Sequence, residues 1–139
     1  MKIKAIDIVL WVLQVLLAVA FFAHGMMFLN PPAEYVAVMD ASMARWLRYF
    51  IGVMEVAAAV GLTLPGVTRI MPFLVGWAAG GIMIVMVSAT IFHAARGEYG
   101  SAVTTFVLLL LATFVAYMRL RVRPISARGA GAIVSAPAL

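Results

Sequence analysis

The chain has 139 residues, of which 66 % are hydrophobic and only 11 % charged, with a net charge of +5 and a mean hydropathy of +1.13. A soluble domain with so few charges has no means of covering its surface, so composition points to a single membrane domain. The basic residues flank apolar stretches instead of forming runs interleaved with aromatics, which speaks against nucleic-acid binding, and the lack of cysteine excludes thiol–disulfide chemistry, Cys-ligated zinc and iron–sulfur clusters.

The first apolar stretch predicts a membrane span over about residues 6–29, preceded by Lys2 and Lys4 and stopped by Asn30-Pro31-Pro32. A secretory signal peptide cut after Ala18-Val19-Ala20 is the rival reading. The apolar run continues past that point through Phe21, Phe22, Met26, Met27 and Leu29, which favours a span.

Residues 31–46 are the longest connection and read as an interfacial segment with a short helix. Asp40 or Ser42 is the expected N-cap of the next helix. The second span is expected over about 46–64, ended by Pro65-Gly66. The third covers about 70–95, with Pro72 in its first turn. The fourth covers about 102–118 and stops sharply at Arg119, Arg121 and Arg123. The tail over 124–139 is rich in Ala, Gly, Ser and Pro and is expected to be disordered. Gly76 and Gly80 make a small-xxx-small pair, and span 2 is rich in Gly and Ala, so spans 2 and 3 are expected to pack together.

These elements make an all-α membrane protein, a bundle of four transmembrane helices. Lys2, Lys4, Arg69, Arg119, Arg121, Arg123 and Arg128 would lie on one side, and Arg45, Arg48 and Arg96 on the other. The positive-inside rule makes the richer side cytoplasmic, with both termini there, and the basic residues would contact anionic membrane lipid.

An ionisable group inside hydrocarbon costs several kcal/mol unless it is paired or wetted, so His24, Glu55 and His93 are the candidate site. Helix rise puts His24 about 9 Å, Glu55 about 10 Å and His93 about 5 Å below the outer ends of their spans. Three groups from three helices in one layer predict an outward-opening cavity. Arg48, Gly52, Glu55, Ala59 and Leu62 share one stripe of span 2, and Arg48 is expected to reach down toward Glu55. Met83, Met86, Thr90 and His93 share a stripe of span 3. Gln14 and Arg96 complete the set of candidate ligand-contacting residues with Arg48, Met86 and Thr90.

Each of these residues has a plainer role open to it. The histidines can meet headgroups, Gln14 can bond between helices, the methionines can be core, and the arginines can be interface residues. Two His and a Glu could form a metal triad, or the two His could bind haem axially. No spacing motif supports either, and no metal is expected. Proton exchange with a bound small molecule fits a membrane Glu near His.

The run Gly52-Val53-Met54-Glu55 through Gly61-Leu62-Thr63-Leu64-Pro65 resembles the second helix of DoxX-like membrane proteins. Ala89-Thr90-Ile91-Phe92-His93-Ala94-Ala95-Arg96-Gly97-Glu98 is similar to the end of their third helix. His24-Gly25 falls where many relatives carry a small-polar motif with a Lys soon after, whereas no Lys follows here. The resemblance covers about residues 8–118. It implies four helices in the cell (inner) membrane and tilts the function toward quinones within a functionally mixed family. Some members are tied to quinone-coupled sulfur oxidation or to resistance to quinones and oxidants, and distant relatives to assembly or export.

The favoured expectation is therefore binding, and redox turnover, of a quinone-like hydrophobic small molecule, with Glu55 exchanging a proton and His24 and His93 bonding the ligand's oxygens. An accessory subunit that recognises a membrane-protein partner or a second copy is the second reading. A small proton-coupled exporter is the third, although small drug exporters carry their membrane carboxylate in the first helix.

Overall fold

A computed structural model describes residues 4–129. Lys2 and the part of the expected disordered tail beyond Gly129 lie outside the described residues. The chain is all-helical there: α1 (Ala5–Leu29), α2 (Ala33–Ser42), α3 (Arg45–Thr68), α4 (Leu74–Ala95) and α5 (Tyr99–Tyr117), the last continuing as a π-helical turn, Met118–Val122. Four apolar segments of 25, 24, 22 and 24 residues exceed the ~20 needed to cross a bilayer. The protein is a multi-pass membrane protein with one short additional helix, α2, in its longest connection.

Several boundaries differ from expectation. Pro65-Gly66 does not end α3, which runs one turn further to Thr68 and stops at Arg69 in the left-handed conformation (φ 58°). In hydrocarbon the backbone has no water to turn to, so continuing the helix past a proline is cheaper than unravelling it. The Thr68 hydroxyl also donates to the Leu64 carbonyl at 2.8 Å. Pro72 precedes α4, which begins at Leu74 after a turn containing Met71 at φ 48°. Neither Asp40 nor Ser42 caps α3. Its N-cap is Ala44, Ser42 donates to the Val38 carbonyl and Asp40 is held by arginines.

Arg119 and Arg121 do not stop the last helix but sit inside its π-helical turn. The chain then folds back, and the Arg128 N–H donates to the Arg69 carbonyl at 3.0 Å.

The helices associate as two pairs, α1 with α3 and α4 with α5. Spans 2 and 3 do touch, as α3 and α4, but not through the Gly76–Gly80 pair. Gly61 of α3 packs on Ala78, Gly76 is covered by Leu120, and Gly80 faces nothing within 4 Å. The tightest approach is between α1 and α3. A Cβ on Gly25 would stand 2.8 Å from the Gly52 carbonyl oxygen, and one on Gly52 would stand 3.0 Å from that of Gly25. Lipid tails supply no hydrophobic drive between helices, so association relies on such close packing.

The two pairs meet toward the end where α1 begins, where Gly61 and Ala78 touch, and leave a cavity between them at the other end. A core of Leu17, Phe21, Ala59, Leu62, Ile82 and Val115 fills the middle.

Candidate functional site

The cavity has a volume of about 1150 Å³, somewhat above the range usual for small-molecule sites. Its walls come from all five helices: Phe28 of α1, Met39 of α2, Leu47 of α3, Met86 of α4 and Leu108 of α5 among them. Phe50, Ile84 and Phe92 at its edge are exposed apolar side chains of helices that span the membrane, so the opening faces lipid.

The structure brings His24, Glu55, His93, Met86 and Arg96 to this one cavity. Glu55 is 2 % exposed, and its Oε2 lies 2.7 Å from His24 Nδ1. The Gly25–Gly52 approach makes this contact. With no Cβ on either glycine, the helix backbones close up one residue from His24 and one turn from Glu55. The His24 ring also stacks on Phe28, with centroids 4.4 Å apart.

A second pair faces the cavity from the α4–α5 turn. His93 Nδ1 lies 2.5 Å from Glu98 Oε2, and Arg96 Nε donates to Glu98 Oε1 at 2.8 Å. The backbone explains it. Glu98 N–H donates to the His93 carbonyl and Gly97 N–H to that of Ala94, with Gly97 at φ 72°, which is a Schellman turn with glycine in its left-handed position. The turn folds Glu98 back over the last turn of α4, where His93 stands. Arg96 first, and then His93, hold the Glu98 carboxyl below the usual carboxylate range.

Three other sequence candidates do not line the cavity. Arg48, 3 % exposed, does not reach Glu55. Its NH1 donates to the Phe28 carbonyl at 2.5 Å, one of the open carbonyls at the end of α1, and its Nε stands 3.5 Å from Asp40 Oδ1. It brackets α1, α2 and α3 together. Asp40 also takes two bonds from Arg45, and that pairing first, then Arg48, keeps its carboxyl below the usual range. Thr90 donates to the Met86 carbonyl and to Thr105 Oγ1 at 2.9 Å, so it ties α4 to α5 behind the wall.

Gln14 lies toward the opposite end. It is fully buried, donates to the Leu62 carbonyl at 2.8 Å and accepts from Arg119 Nε at 2.6 Å. Arg119 lies over Trp11 and 3.7 Å from Asp7, which also pairs with Arg123.

Sequence reasoning missed Glu98 as a partner of His93 and missed the cluster of Asp7, Gln14, Arg119 and Arg123. For the first, the signal was Gly97, which lets residue 98 fold back on residue 93. For the second it was the i, i+4 spacing of Arg119 and Arg123 opposite an acid in the first turn of α1. Among the described residues no group of three His, Asp or Glu side chains converges as metal ligands, so the triad is not assembled.

A family model described as the DoxX-like family matches residues 12–115, which covers all four spans and both carboxylate–histidine pairs. The chain belongs to the DoxX-like family. The two segments that most resemble DoxX-like proteins now have structural roles: Gly52 and Glu55 make the α1–α3 contact, and His93 to Glu98 makes the turn that pairs those two residues. No curated protein and no solved structure matches the chain.

Proposed function

We propose that this DoxX-like protein binds a lipid-soluble, quinone-like small molecule in the cavity and couples its binding to proton exchange at Glu55. The reading includes a redox-linked role in the cell (inner) membrane. The observation that carries it is a buried carboxylate hydrogen-bonded to a histidine on the wall of a large apolar cavity whose mouth opens to lipid. An apolar ring system enters from the bilayer and fills the apolar space. His24 and His93 hydrogen-bond its oxygens, and Glu55 takes or returns a proton through His24 Nδ1.

The exporter reading needs a proton path across the membrane. The side chains between Glu55 and Gln14 on the facing stripes are Leu17, Ala18, Phe21, Ala59 and Leu62, all buried and apolar, and none carries a proton. This speaks for a site open to one half of the bilayer.

The test is the affinity of a quinone analogue for the protein in lipid nanodiscs, from about pH 5 to about pH 9, across the range where His and carboxylate groups exchange protons. Ala89 lines the cavity, and Ala89→Phe places a ring in it. We expect Ala89→Phe to weaken binding by at least about tenfold, or about 1.4 kcal/mol. Glu55→Gln keeps the shape of the side chain and should weaken the pH response over this range. No binding to the folded wild type would move the reading to an accessory subunit, for which co-purification with a membrane partner is the readout.

A further inference from the structure

The cavity holds a second carboxylate–histidine pair that the proposed proton exchange at Glu55 does not use. His24 with Glu55 stands on the α1–α3 side, and His93 with Glu98 stands on the α4–α5 side. In each pair the ring is held through Nδ1, and Nε2 makes no hydrogen bond among the described residues. The other charged groups around these pairs are already engaged. Arg48 is taken by Phe28 and Asp40, Asp40 by Arg45 and Arg48, and Arg96 by Glu98. α5 contributes no ionisable side chain to the lining.

From this geometry we infer that the two pairs act together as a two-point site for a ring ligand carrying two oxygens, a dione or its diol, one oxygen to each His Nε2, with Glu98 serving His93 as Glu55 serves His24. This rests on the small-molecule reading above and adds the count of two protons and the role of Glu98.

The argument follows from imidazole chemistry. With its carboxylate accepting from Nδ1–H, a neutral imidazole presents a bare Nε2, which accepts a hydrogen bond. Such a nitrogen suits a hydroxyl. One proton added at Nε2 turns it into a donor, which suits a carbonyl, and the carboxylate steadies the imidazolium that results. A dione offers two acceptors, and its diol offers two donors. Each pair can switch by one proton, and the two forms of the ligand differ by two hydrogens. The protonated site therefore matches the dione and the deprotonated site matches the diol. Binding itself moves protons only between solvent and the two carboxylate–histidine pairs, and no electrons move in it.

Glu98 is a positioning residue here. It touches no ligand atom and acts by fixing the tautomer and orientation of His93. Arg96 keeps it ionised for that task.

The experiment measures binding of tetramethylbenzoquinone, and of its hydroquinone under anaerobic conditions, to the full chain in nanodiscs as a function of pH. On the alkaline side, each proton taken up with the ligand weakens dione binding by about tenfold per pH unit. Wild type should approach two such protons, about a hundredfold per unit, while hydroquinone binding should strengthen as pH rises. Proton uptake followed with an indicator dye in weakly buffered medium should independently approach two per dione bound. His93→Gln supplies an amide donor that does not titrate, so it should reduce the slope to one. His24→Gln should do the same, and the double variant should lose the slope. Glu98→Gln should move the pH midpoint downward without removing a proton from the count.

A wild-type uptake of one proton or none, or a slope that His93→Gln leaves unchanged, overturns the two-point inference while the small-molecule reading stands. Failure of the folded wild type to bind either form at any pH overturns the reading beneath it.

Discussion

Gly25 and Gly52 face each other so closely that a methyl group on the first would stand 2.8 Å from the carbonyl oxygen of the second, and this approach puts His24 within 2.7 Å of Glu55. Two residues without side chains therefore set the carboxylate–histidine contact between α1 and α3. The nearest atom a methyl group on Gly25 would meet is backbone, which cannot swing aside as a flexible side chain can, whereas one on Gly52 would meet the Leu29 side chain at 2.9 Å as well as the Gly25 carbonyl oxygen at 3.0 Å.

Gly25→Ala should therefore push α1 from α3. Overpacking of this kind costs about 1–3 kcal/mol, more than the ~1 kcal/mol that alanine gains over glycine in helix propensity. Thermal unfolding in detergent should show the loss. Gly80→Ala is the control, since Gly80 has nothing within 4 Å, and it should be neutral or mildly stabilising. Equal stabilities for the two variants would remove the close approach as the organiser of the site.

Gln14→Leu should destabilise the fold without altering the cavity. The substitution removes both bonds of a fully buried amide and leaves the Arg119 Nε without that partner, at a cost of about 1–3 kcal/mol. The apolar core lies between this cluster and Glu55, so ligand affinity measured on the folded fraction should stay at the wild-type value. A change in affinity with no change in stability would contradict the division of the bundle into two polar ends.

The Glu98 turn should loosen in acid. Its carboxyl is held below the usual range by Arg96 and then His93, so the stability it contributes is fully present above its unfolded value of about 4.3. That contribution is lost as pH falls through the lower folded value. Protection of the amides from Gly97 to Ala102 against hydrogen exchange, relative to the intrinsic rate at each pH, should fall below about pH 4 in wild type. Glu98→Gln should show quicker exchange already at neutral pH and no further acid step from this residue. An acid step of the same size in the variant would show that some other group controls the turn.

Both termini should lie in the cytoplasm. Arg69, Arg119, Arg121, Arg123 and Arg128 gather at the end where α1 begins, with Lys4, while Arg45, Arg48 and Arg96 stand at the cavity end. Of those three, Arg48 is buried and bonded to α1, which leaves still less free positive charge there. Reporters active on only one side, fused to each terminus, should both report the cytoplasm. Opposite sides for the two ends would remove the four-span topology.

The number of spans, their approximate extent and the buried stripe through Arg48, Gly52, Glu55, Ala59 and Leu62 were legible in the sequence. Apolar length and helical periodicity are properties of a single segment, and each helix obeys them wherever its neighbours lie. Partners were not legible in that way. Arg48 and His24 were both within plausible reach of Glu55. The rotation of α1 against α3, set by Gly25 and Gly52, decides for His24 and turns Arg48 to the end of α1. In the same way Gly97 permits a tight turn, but only the folded turn brings Glu98 onto His93. Gln14 could have served the cavity or a helix contact, and the π-helical turn that swings Arg119 inward gives it the second role. Periodicity assigns a residue to a face of its helix. Which face meets which depends on how closely two backbones can approach, and only the tertiary structure decides that.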